Sequence, residues 1–286
     1  FTTDSFTVSP LFFEGGDIGK LAIAGTVNDL AMMGAKPEYL SASFIIEEGF
    51  PYADLARIVE SMAAELAKSG ARIVCGDTKV VPKGAADKIF INTSGVGTFP
   101  LPEQSRGISV RNLKAGDAIL VSRDIGSHGA CILMARDALQ LGSDLKSDCT
   151  TLWPQVEALL KAGITPHALR DATRGGLAAV LNEWSSASGV AIELEESAIP
   201  VCDPVRGLCE LYGFEPHDLA NEGTMVLALP AEQAQDALGI LRQFNPAASQ
   251  IGVVQASDRH KVILNNPWGS RRYLELPQGE LLPRIC

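Results

Sequence analysis

Segments with helical and with strand-like hydrophobic spacing alternate along the whole of this 286-residue chain, and this alternation restricts the fold to mixed α/β architectures. The clearest helical pattern covers residues 52–69, with apolar side chains on one face and Gly70 just beyond its end. The order of the segments lacks the βαβ regularity of a doubly wound sheet. Residues 99–103, Phe-Pro-Leu-Pro-Glu, have the composition of a linker. The sequence therefore predicts two mixed α/β layered domains that divide near residue 105.

The predicted elements assign three regions to the chain. We expect an N-terminal domain over residues 1–104, a C-terminal α/β domain over residues 105–264 and a flexible tail over residues 265–286. Because Phe1 is not an initiator and already lies in a strand-like pattern, we expect the natural N-terminus to precede it. The other predicted elements are helices over residues 20–33, 128–139, 152–162, 177–188 and 231–244 and strands over residues 1–8, 39–46, 73–75, 88–96, 118–122, 190–194, 224–229 and 250–254.

Charge and composition restrict the class of partner. A net charge of −10 argues against a general affinity for nucleic acid or for an anionic membrane surface. The sequence contains no apolar run long enough to span a bilayer. Its six cysteines show neither a CxxC pair nor the spacing of a disulfide framework, so we expect reduced, mostly buried thiols in a cytoplasmic protein.

Acidic residues in the first hundred positions are candidates for a cation site. Asp4 lies in a predicted strand, Asp29 follows Asn28 inside an otherwise apolar helix, and Asp77 lies in a glycine turn after a short strand. A carboxylate inside an apolar helix is costly unless it is paired or binds a cation. If the three converge they suit Mg²⁺, which proteins hold with one or two carboxylates and nucleotide phosphates. Taken singly, each is equally a turn or capping residue.

Two glycine-containing segments are candidates for phosphate binding. Gly76-Asp77-Thr78-Lys79 offers backbone amides, a hydroxyl and an ammonium group, although an ordinary turn has the same composition. The segment 171–176, Asp-Ala-Thr-Arg-Gly-Gly, runs into a predicted helix whose start can bind an anion. The alternative is simple N-capping by Thr173, which requires neither the second glycine nor the arginine.

Two further residues are candidates for proton transfer or for contact with a substrate. Glu222 lies just before a predicted strand. Three alternatives are open for it: a general base, a metal ligand or part of a surface turn. His128 lies between glycines at a helix start and is placed to orient a substrate.

The last residue, Cys286, lies on a segment in which Pro277, Gly279 and Pro283 oppose helix formation. The ten residues 277–286, when extended, reach about 30 Å, enough to carry a thiol from one site to another. The alternative is a frayed tail that happens to end in cysteine.

Five motifs resemble one family throughout the chain, the HypE family of hydrogenase maturation proteins. They are Thr3-Asp4-Ser5, the Val-Asn-Asp-Leu-Ala-Met-Met-Gly-Ala run at 27–35, Gly-Asp-Thr-Lys-Val at 76–80, Asp-Ala-Thr-Arg-Gly-Gly at 171–176 and Pro-Arg-Ile-Cys at 283–286. The family is part of the ATP-using superfamily of aminoimidazole ribonucleotide synthetase (PurM). The resemblance implies a two-domain PurM-like fold and a homodimer whose N-terminal domains pair into a β-barrel. It also implies ATP and Mg²⁺ as cofactors.

The resemblance further implies a carrier role for Cys286. A partner carbamoyltransferase, HypF, would carbamoylate the thiol, and ATP would then drive dehydration of the S-carboxamide to an S-cyanide. The cyanide would pass to a HypC–HypD scaffold and become a ligand of the iron in [NiFe] hydrogenase. The glycine-rich N-terminal segment expected in the family does not occur in this sequence.

The resemblance also implies functions for particular residues. Asp4, Asp29 and Asp77 would hold Mg²⁺, and Lys79 would add positive charge near the transferring phosphoryl group. Glu222 would remove protons from the amide nitrogen, with His128 as the second candidate for this base. The implied nucleotide-binding residues are Asp4, Asn28, Asp29, Asp77, Thr78, Lys79, Asp171, Thr173, Gly175 and Gly176.

Two other functions are open at this point. A related synthetase or kinase, of the selenophosphate synthetase or thiamine-phosphate kinase type, would share the ATP site but act on a diffusible substrate and have no use for Cys286. A non-enzymatic dimeric scaffold would need none of the acidic residues for chemistry.

Overall fold

The structure is a computed structural model that describes residues 1–136, 144–257, 259–277 and 282–286. The last residues of the helix predicted over 128–139, and Gly279 of the predicted tail, lie outside these ranges. The first hundred residues form a mixed sheet with helices against it. Their elements are β1 (Thr2–Phe6), β2 (Phe12–Phe13), β3 (Gly16–Asp17), α1 (Ile18–Met32), β4 (Lys36–Glu47), α2 (Tyr52–Ser69), β5 (Arg72–Val81), β6 (Ile89–Thr98) and the short α3 (Pro102–Ser105).

The first sheet has the strand order β1-β6-β4-β5. Its central strand β4 pairs antiparallel with β6 and parallel with β5, so β1 and β5 form the two opposite edges. Helix α1 covers one face and is buried on nearly all sides, as its uniformly apolar and small side chains require. Asp17 caps this helix, since its carboxylate accepts from the amides of Gly19 and Lys20 at 2.8 and 3.0 Å.

Strand β5 differs from its prediction. The sequence predicted a short buried strand that ends in a glycine turn, but β5 runs unbroken for ten residues and is exposed along almost its whole length. Its outer backbone edge has no neighbouring strand in the described chain. Ile73, Val74 and Val80 nevertheless expose 39%, 60% and 67% of their surfaces. A long edge strand with exposed apolar residues is able to pair with a strand of another chain.

The second part of the chain builds a larger mixed sheet. Its strands have the order β13-β12-β9-β11-β7-β10-β8. The elements are β7 (Ala118–Val121), α4 (Ser127–Arg136), α5 (Trp153–Lys161), β8 (Ala168–Asp171), α6 (Gly176–Ser188), β9 (Ala191–Glu195), α7 (Asp203–Tyr212), β10 (Met225–Leu229), α8 (Ala234–Phe244), β11 (Ser249–Gln255), β12 (Val262–Asn265) and β13 (Arg271–Tyr273), with 3₁₀ turns at Val110–Asn112, Glu196–Ala198, Pro216–Asp218 and Ala231–Gln233.

Helix α1 joins the two sheets. It contacts β1, β6 and α2 of the first part, and β8 and α5 of the second. Strand β8 is an edge strand whose last residue, Asp171, therefore lies beside this helix. No described helix combines the length and the apolarity needed to cross a bilayer.

The end of the chain is docked rather than free. Strand β13 belongs to the larger sheet, so part of the segment predicted as a tail is sheet structure. Beyond it, the amide of Thr7 donates to the carbonyl of Cys286 at 3.0 Å, and the amide of Ser9 donates to that of Arg284 at 3.2 Å. The described end thus pairs with the backbone of the residues that follow β1. This pairing satisfies polar groups that a free C-terminal segment would leave to water. Release of this segment from this position stays a prediction.

Candidate active site

Three carboxylates meet where α1 lies against β8. Asp29 comes from α1, Asp171 ends β8, and Asp4 lies on β1, which packs on α1. Burial and the Asp29 carboxylate raise the pKa of Asp171 to about 7, with a smaller contribution from Asp4. The pKa of Asp29 is also raised, mainly by burial, although its hydrogen bond from the Thr2 hydroxyl at 2.7 Å opposes the change. The cluster therefore holds more negative charge than the neighbouring side chains neutralise.

Asp77, Thr78 and Lys79 are not part of this cluster within one chain. They lie on β5, at the sheet edge opposite to the β1 strand that holds Asp4. The Lys79 ammonium instead contacts the Asp77 carboxylate at 3.0 Å, and both side chains are more than half exposed. Three strand spacings of about 4.8 Å separate the two edges. Asp77 therefore lies away from Asp4 within one chain, which could not be read from the sequence, and its part in a cation site stays a prediction.

The Asn28 side chain holds protein backbone. Its amide oxygen accepts from the backbone of Leu152 at 2.7 Å, and its amide nitrogen donates to the carbonyls of Thr150 and Glu222 at 3.1 and 3.4 Å. The side chain is buried. Both ends of the amide are therefore used to hold protein backbone, and a nucleotide contact of Asn28 stays a prediction.

Residues 147–152, which we call the strap, form a buried segment without regular secondary structure. Such a segment needs side-chain partners for its backbone. Besides Asn28, buried Glu65 of α2 provides one, because its carboxylate accepts from the amide of Thr151 at 2.6 Å. The strap thereby links α1 and α2 to the turn that holds Glu222.

Asp148 of the strap fixes that turn directly. Its carboxylate accepts from the amides of Glu222 and Gly223 at 3.0 and 2.9 Å and from the Thr224 hydroxyl at 2.8 Å. A side chain at Gly223 is excluded, since a Cβ there would lie 1.9 Å from the Asp148 carbonyl. The position of Glu222 is therefore set by a buried carboxylate with three donors.

Glu222 itself is a buried carboxyl group with unused hydrogen-bonding capacity. Among the described residues its Oε1 has no hydrogen-bond partner, and only 2% of the residue is exposed. Burial raises its pKa well above the usual range, and the nearby Asp171 and Asp148 carboxylates raise it further. A buried acceptor without a partner is rare in proteins and indicates a place for a ligand, an ion or water.

The charge of this carboxyl group acts on the Cys286 thiol. Its sulfur accepts from Nε of Arg174 at 3.3 Å, and 8% of the residue is exposed. Burial and then the charge of Glu222 raise the pKa of the thiol to about 11, against the opposing effect of Arg174. The docked sulfur is therefore protonated near neutral pH and is flanked by one cationic and one acidic side chain.

His128 holds the docked end of the chain, and its role as the second candidate base stays a prediction. Its Nε2 lies 2.8 Å from the Ile285 carbonyl, which only accepts, so this nitrogen carries the proton. Its Nδ1 lies 2.8 Å from Oγ of Ser147 and must accept there. Burial lowers the pKa of the ring, which favours this neutral form. Both ring nitrogens are thus used by the protein.

The paired glycines before α6 have a packing explanation. Gly175 and Gly176 both adopt positive φ, and Gly175 rather than Thr173 is the N-cap. A Cβ on Gly176 would lie 2.5 Å from the carbonyls of His217 and Leu219. The amide of Gly176 donates to the Thr173 carbonyl at 3.0 Å. Phosphate binding at this helix start stays a prediction, but the second glycine no longer depends on it.

The sequence analysis did not identify Asp148, Glu65 or Arg174 as site residues. Asp148 and Glu65 act on backbone that is distant in the chain, and neither lies in a motif or periodic pattern that signals this. Arg174 did carry a signal, because simple capping left it unexplained within the 171–176 motif.

Family models and related proteins match the chain along nearly its whole length. The model described as AIR synthase related protein, N-terminal domain, matches residues 1–99, and the corresponding C-terminal domain matches residues 114–265. Carbamoyl dehydratase HypE of Azotobacter vinelandii is 49% identical over 286 residues, which cover 99% of this chain and 83% of that protein. These matches confirm the predicted two-domain PurM-like fold.

Two solved structures are similar as well. The crystal structure of the hydrogenase maturation protein HypE in complex with ATP has a TM-score of 0.95 and 43% identity, covering 100% of this chain and 86% of that one. The crystal structure of a HypE–HypF complex has a TM-score of 0.91 and 47% identity, covering 96% and 90%.

Proposed function

Because the chain belongs to the HypE family of carbamoyl dehydratases, within the AIR synthase related proteins, we propose that it uses ATP to dehydrate an S-carboxamide on Cys286 to an S-cyanide. One observation carries the assignment of the thiol: the docked Cys286 sulfur lies 3.3 Å from Nε of Arg174, and the charge of the buried Glu222 raises the pKa of this thiol. A kinase or synthetase with a diffusible substrate would gain nothing from this arrangement.

The reaction needs ATP because an amide oxygen is a poor leaving group. The carboxamide oxygen attacks the γ-phosphorus of ATP and ADP departs. Two protons then leave the nitrogen while the C–O bond breaks, which releases phosphate and forms the C≡N bond. Oxygen is thus removed as phosphate, and no oxidant or reductant is required.

Glu222 is the acceptor that we assign to the amide protons. Its Oε1 is buried without a protein partner, and its charge acts on the Cys286 thiol. The raised pKa makes the carboxylate a stronger base than an exposed glutamate. Since only the ionised form accepts a proton, the dehydration rate should rise with pH.

The acidic cluster fits Mg²⁺. Asp4, Asp29 and Asp171 offer hard oxygen donors, and the charges of Asp29 and Asp4 add to the effect of burial that raises the pKa of Asp171. We assign Mg²⁺ to these three residues together with the nucleotide phosphates, with Asp171 in place of the predicted Asp77. When bound, the ion would neutralise charge on the transferring phosphoryl group.

We also propose a homodimer that forms through the β5 edge. Beside the strand, a groove of about 630 Å³ is lined by apolar side chains of α2, including Val59 and Leu66, and by Ile73 and Val74 of β5. Pairing with a second copy would cover this surface and complete the β-barrel that the resemblance implies. In such a dimer, Asp77 and its neighbours on β5 would serve the site of the other copy.

The proposal includes two protein partners and a location. The structure of a related HypE with HypF supports a carbamoyltransferase of that type as the donor of the carbamoyl group. A HypC–HypD scaffold would receive the cyanide. Cytoplasmic location agrees with the free cysteines among the described residues.

Intact-mass measurement tests this function. The protein is incubated with the carbamoyltransferase, carbamoyl phosphate and Mg-ATP, and the Cys286 peptide is followed over time. We expect a carboxamide adduct that converts to a cyanide adduct. Cys286→Ser should show neither, whereas Cys202→Ser, a half-buried cysteine elsewhere, should behave as wild type. ATP consumption without an adduct would indicate a diffusible substrate, and no change in either would indicate a scaffold.

A further inference from the structure

The two side chains that flank the Cys286 sulfur differ in hydrogen-bonding character. The Arg174 guanidinium only donates, and it already donates to the sulfur at 3.3 Å. Glu222 only accepts in the ionised form that its role as a base requires, and its charge raises the pKa of the same thiol. An S-carboxamide also has two unlike ends, an oxygen that accepts and an amino group that donates.

We propose that Arg174 is a catalytic residue that binds the oxygen of the S-carboxamide and thereby turns its amino group toward Glu222. The inference rests on the proposed dehydration and assigns a residue to one of its steps. Only one of the two orientations about the S–C bond satisfies both side chains. In the reverse orientation the amino group faces a cation that cannot accept, and the oxygen faces a carboxylate that cannot donate.

The backbone holds the two flanking residues in a fixed relation. Arg174 lies in the 171–176 segment and Glu222 in the 221–224 turn. The amide of Ala172 donates to the Thr224 carbonyl at 3.0 Å, and the amide of Asn221 donates to the Ala172 carbonyl at 2.9 Å. The side-chain nitrogen of Asn221 donates to the same Ala172 carbonyl at 2.9 Å. A donor and an acceptor on two cross-linked segments form a preorganised site.

Binding of the oxygen by Arg174 leaves the oxygen able to react. A carbonyl oxygen has two lone pairs, so one accepts from the guanidinium while the other attacks phosphorus. Once the oxygen carries the phosphoryl group, the same guanidinium faces a phosphate ester. Its planar array of donors matches phosphate geometry, which a lysine ammonium does not reproduce.

Single substitutions test the orienting role in the complete reaction with the transferase. Carbamoylation takes place at the transferase, so Arg174→Ala should acquire the carboxamide at the wild-type rate. Its conversion to cyanide should fall roughly 10- to 100-fold, as expected for loss of a charged hydrogen bond. Arg174→Lys should remain at least about 10-fold slow, because charge alone does not orient the group. Arg111→Ala removes an exposed arginine from a 3₁₀ turn and serves as the control.

The number of ATP molecules hydrolysed per cyanide formed separates orientation from folding. A misoriented carboxamide should allow ATP to be consumed without dehydration, so this ratio should rise in Arg174→Ala while the melting temperature stays that of wild type. Cyanide formation at the control rate in Arg174→Ala, or full activity in Arg174→Lys, would overturn the inference. If the wild-type protein itself forms no cyanide, the proposed function fails instead.

Discussion

Replacement of Asp171 by asparagine should change how the stability of the protein depends on pH. The folded state raises the pKa of this carboxyl group from 3.8 to about 7, chiefly through burial and the neighbouring Asp29. Between these two values the folded protein keeps a proton that the unfolded chain has lost. The group therefore favours folding most at acidic pH, and this contribution disappears as the pH rises through about 7.

The size of the effect follows from the width of that interval. From about pH 5 to 7 the unfolded carboxyl is ionised and the folded one is mostly protonated. Two pH units at about 1.4 kcal/mol each give roughly 3 kcal/mol of stability that wild type should lose between pH 5 and pH 8. Asp171→Asn has no such titration. Its free energy of unfolding should exceed that of wild type at pH 8 and approach it at pH 5.

Urea unfolding at the two pH values measures this difference. Comparison of the variant with wild type cancels the groups that titrate independently of Asp171. Asp236→Asn, which removes an exposed carboxylate from α8, is the matched control and should show no comparable pH-dependent gain. If Asp171→Asn destabilises the protein equally at both pH values, Asp171 is not held in an acidic cluster and our assignment of the cation site is wrong.

Three further predictions concern the dimer, the carrier thiol and the turn that holds Glu222. Sedimentation should give a dimer of about 61 kDa, twice the 30.3 kDa chain mass, and Val74→Lys on β5 should give a monomer. Asp29→Asn and Asp77→Asn should each abolish dehydration, yet an equimolar mixture that exchanges subunits should regain about one quarter of the activity, because about half of its dimers are mixed and each of these has one intact site; no recovery would mean that the two residues do not serve one shared site. Cys286→Ser should retain ATP binding, measured by calorimetry, while losing the adduct. Asp148→Asn should lower the free energy of unfolding by about 1–3 kcal/mol in urea titrations; an unchanged value would contradict its anchoring role.

Local patterns in the sequence predicted the helices well. Helix α2 has the bounds that its apolar spacing indicated, Tyr52–Ser69, with Gly70 in the left-handed conformation at its end. Helix α1, predicted over residues 20–33, was also found, at Ile18–Met32. The sequence predicts these helices because their bounds are set by residues within the helix or directly next to it, such as Asp17 and Gly70.

The site was predicted only in part, because its residues meet through sheet order and the strap. Asp29 and Asp171 were selected for their chemistry, but their proximity depends on β8 being the edge strand beside α1. Asp77 was assigned to the same cation site by resemblance, whereas β5 lies at the opposite edge. Sequence spacing carries no information on strand order between domains. For the same reason the sequence did not reveal that Asn28, a predicted nucleotide contact, accepts a hydrogen bond from the distant backbone of Leu152.

The pairing of Thr7 and Ser9 with the last residues has a consequence for competition. The C-terminal segment, which we call the arm, belongs to the same chain as the Thr7–Ser9 backbone that it docks on. Its effective concentration there is therefore on the order of millimolar, as for other short intramolecular linkages. A separate peptide that ends in the same Pro-Arg-Ile-Cys sequence would have to reach that concentration to displace it. The transferase meets the same competitor, and it must capture the thiol during the intervals in which the arm has left its dock.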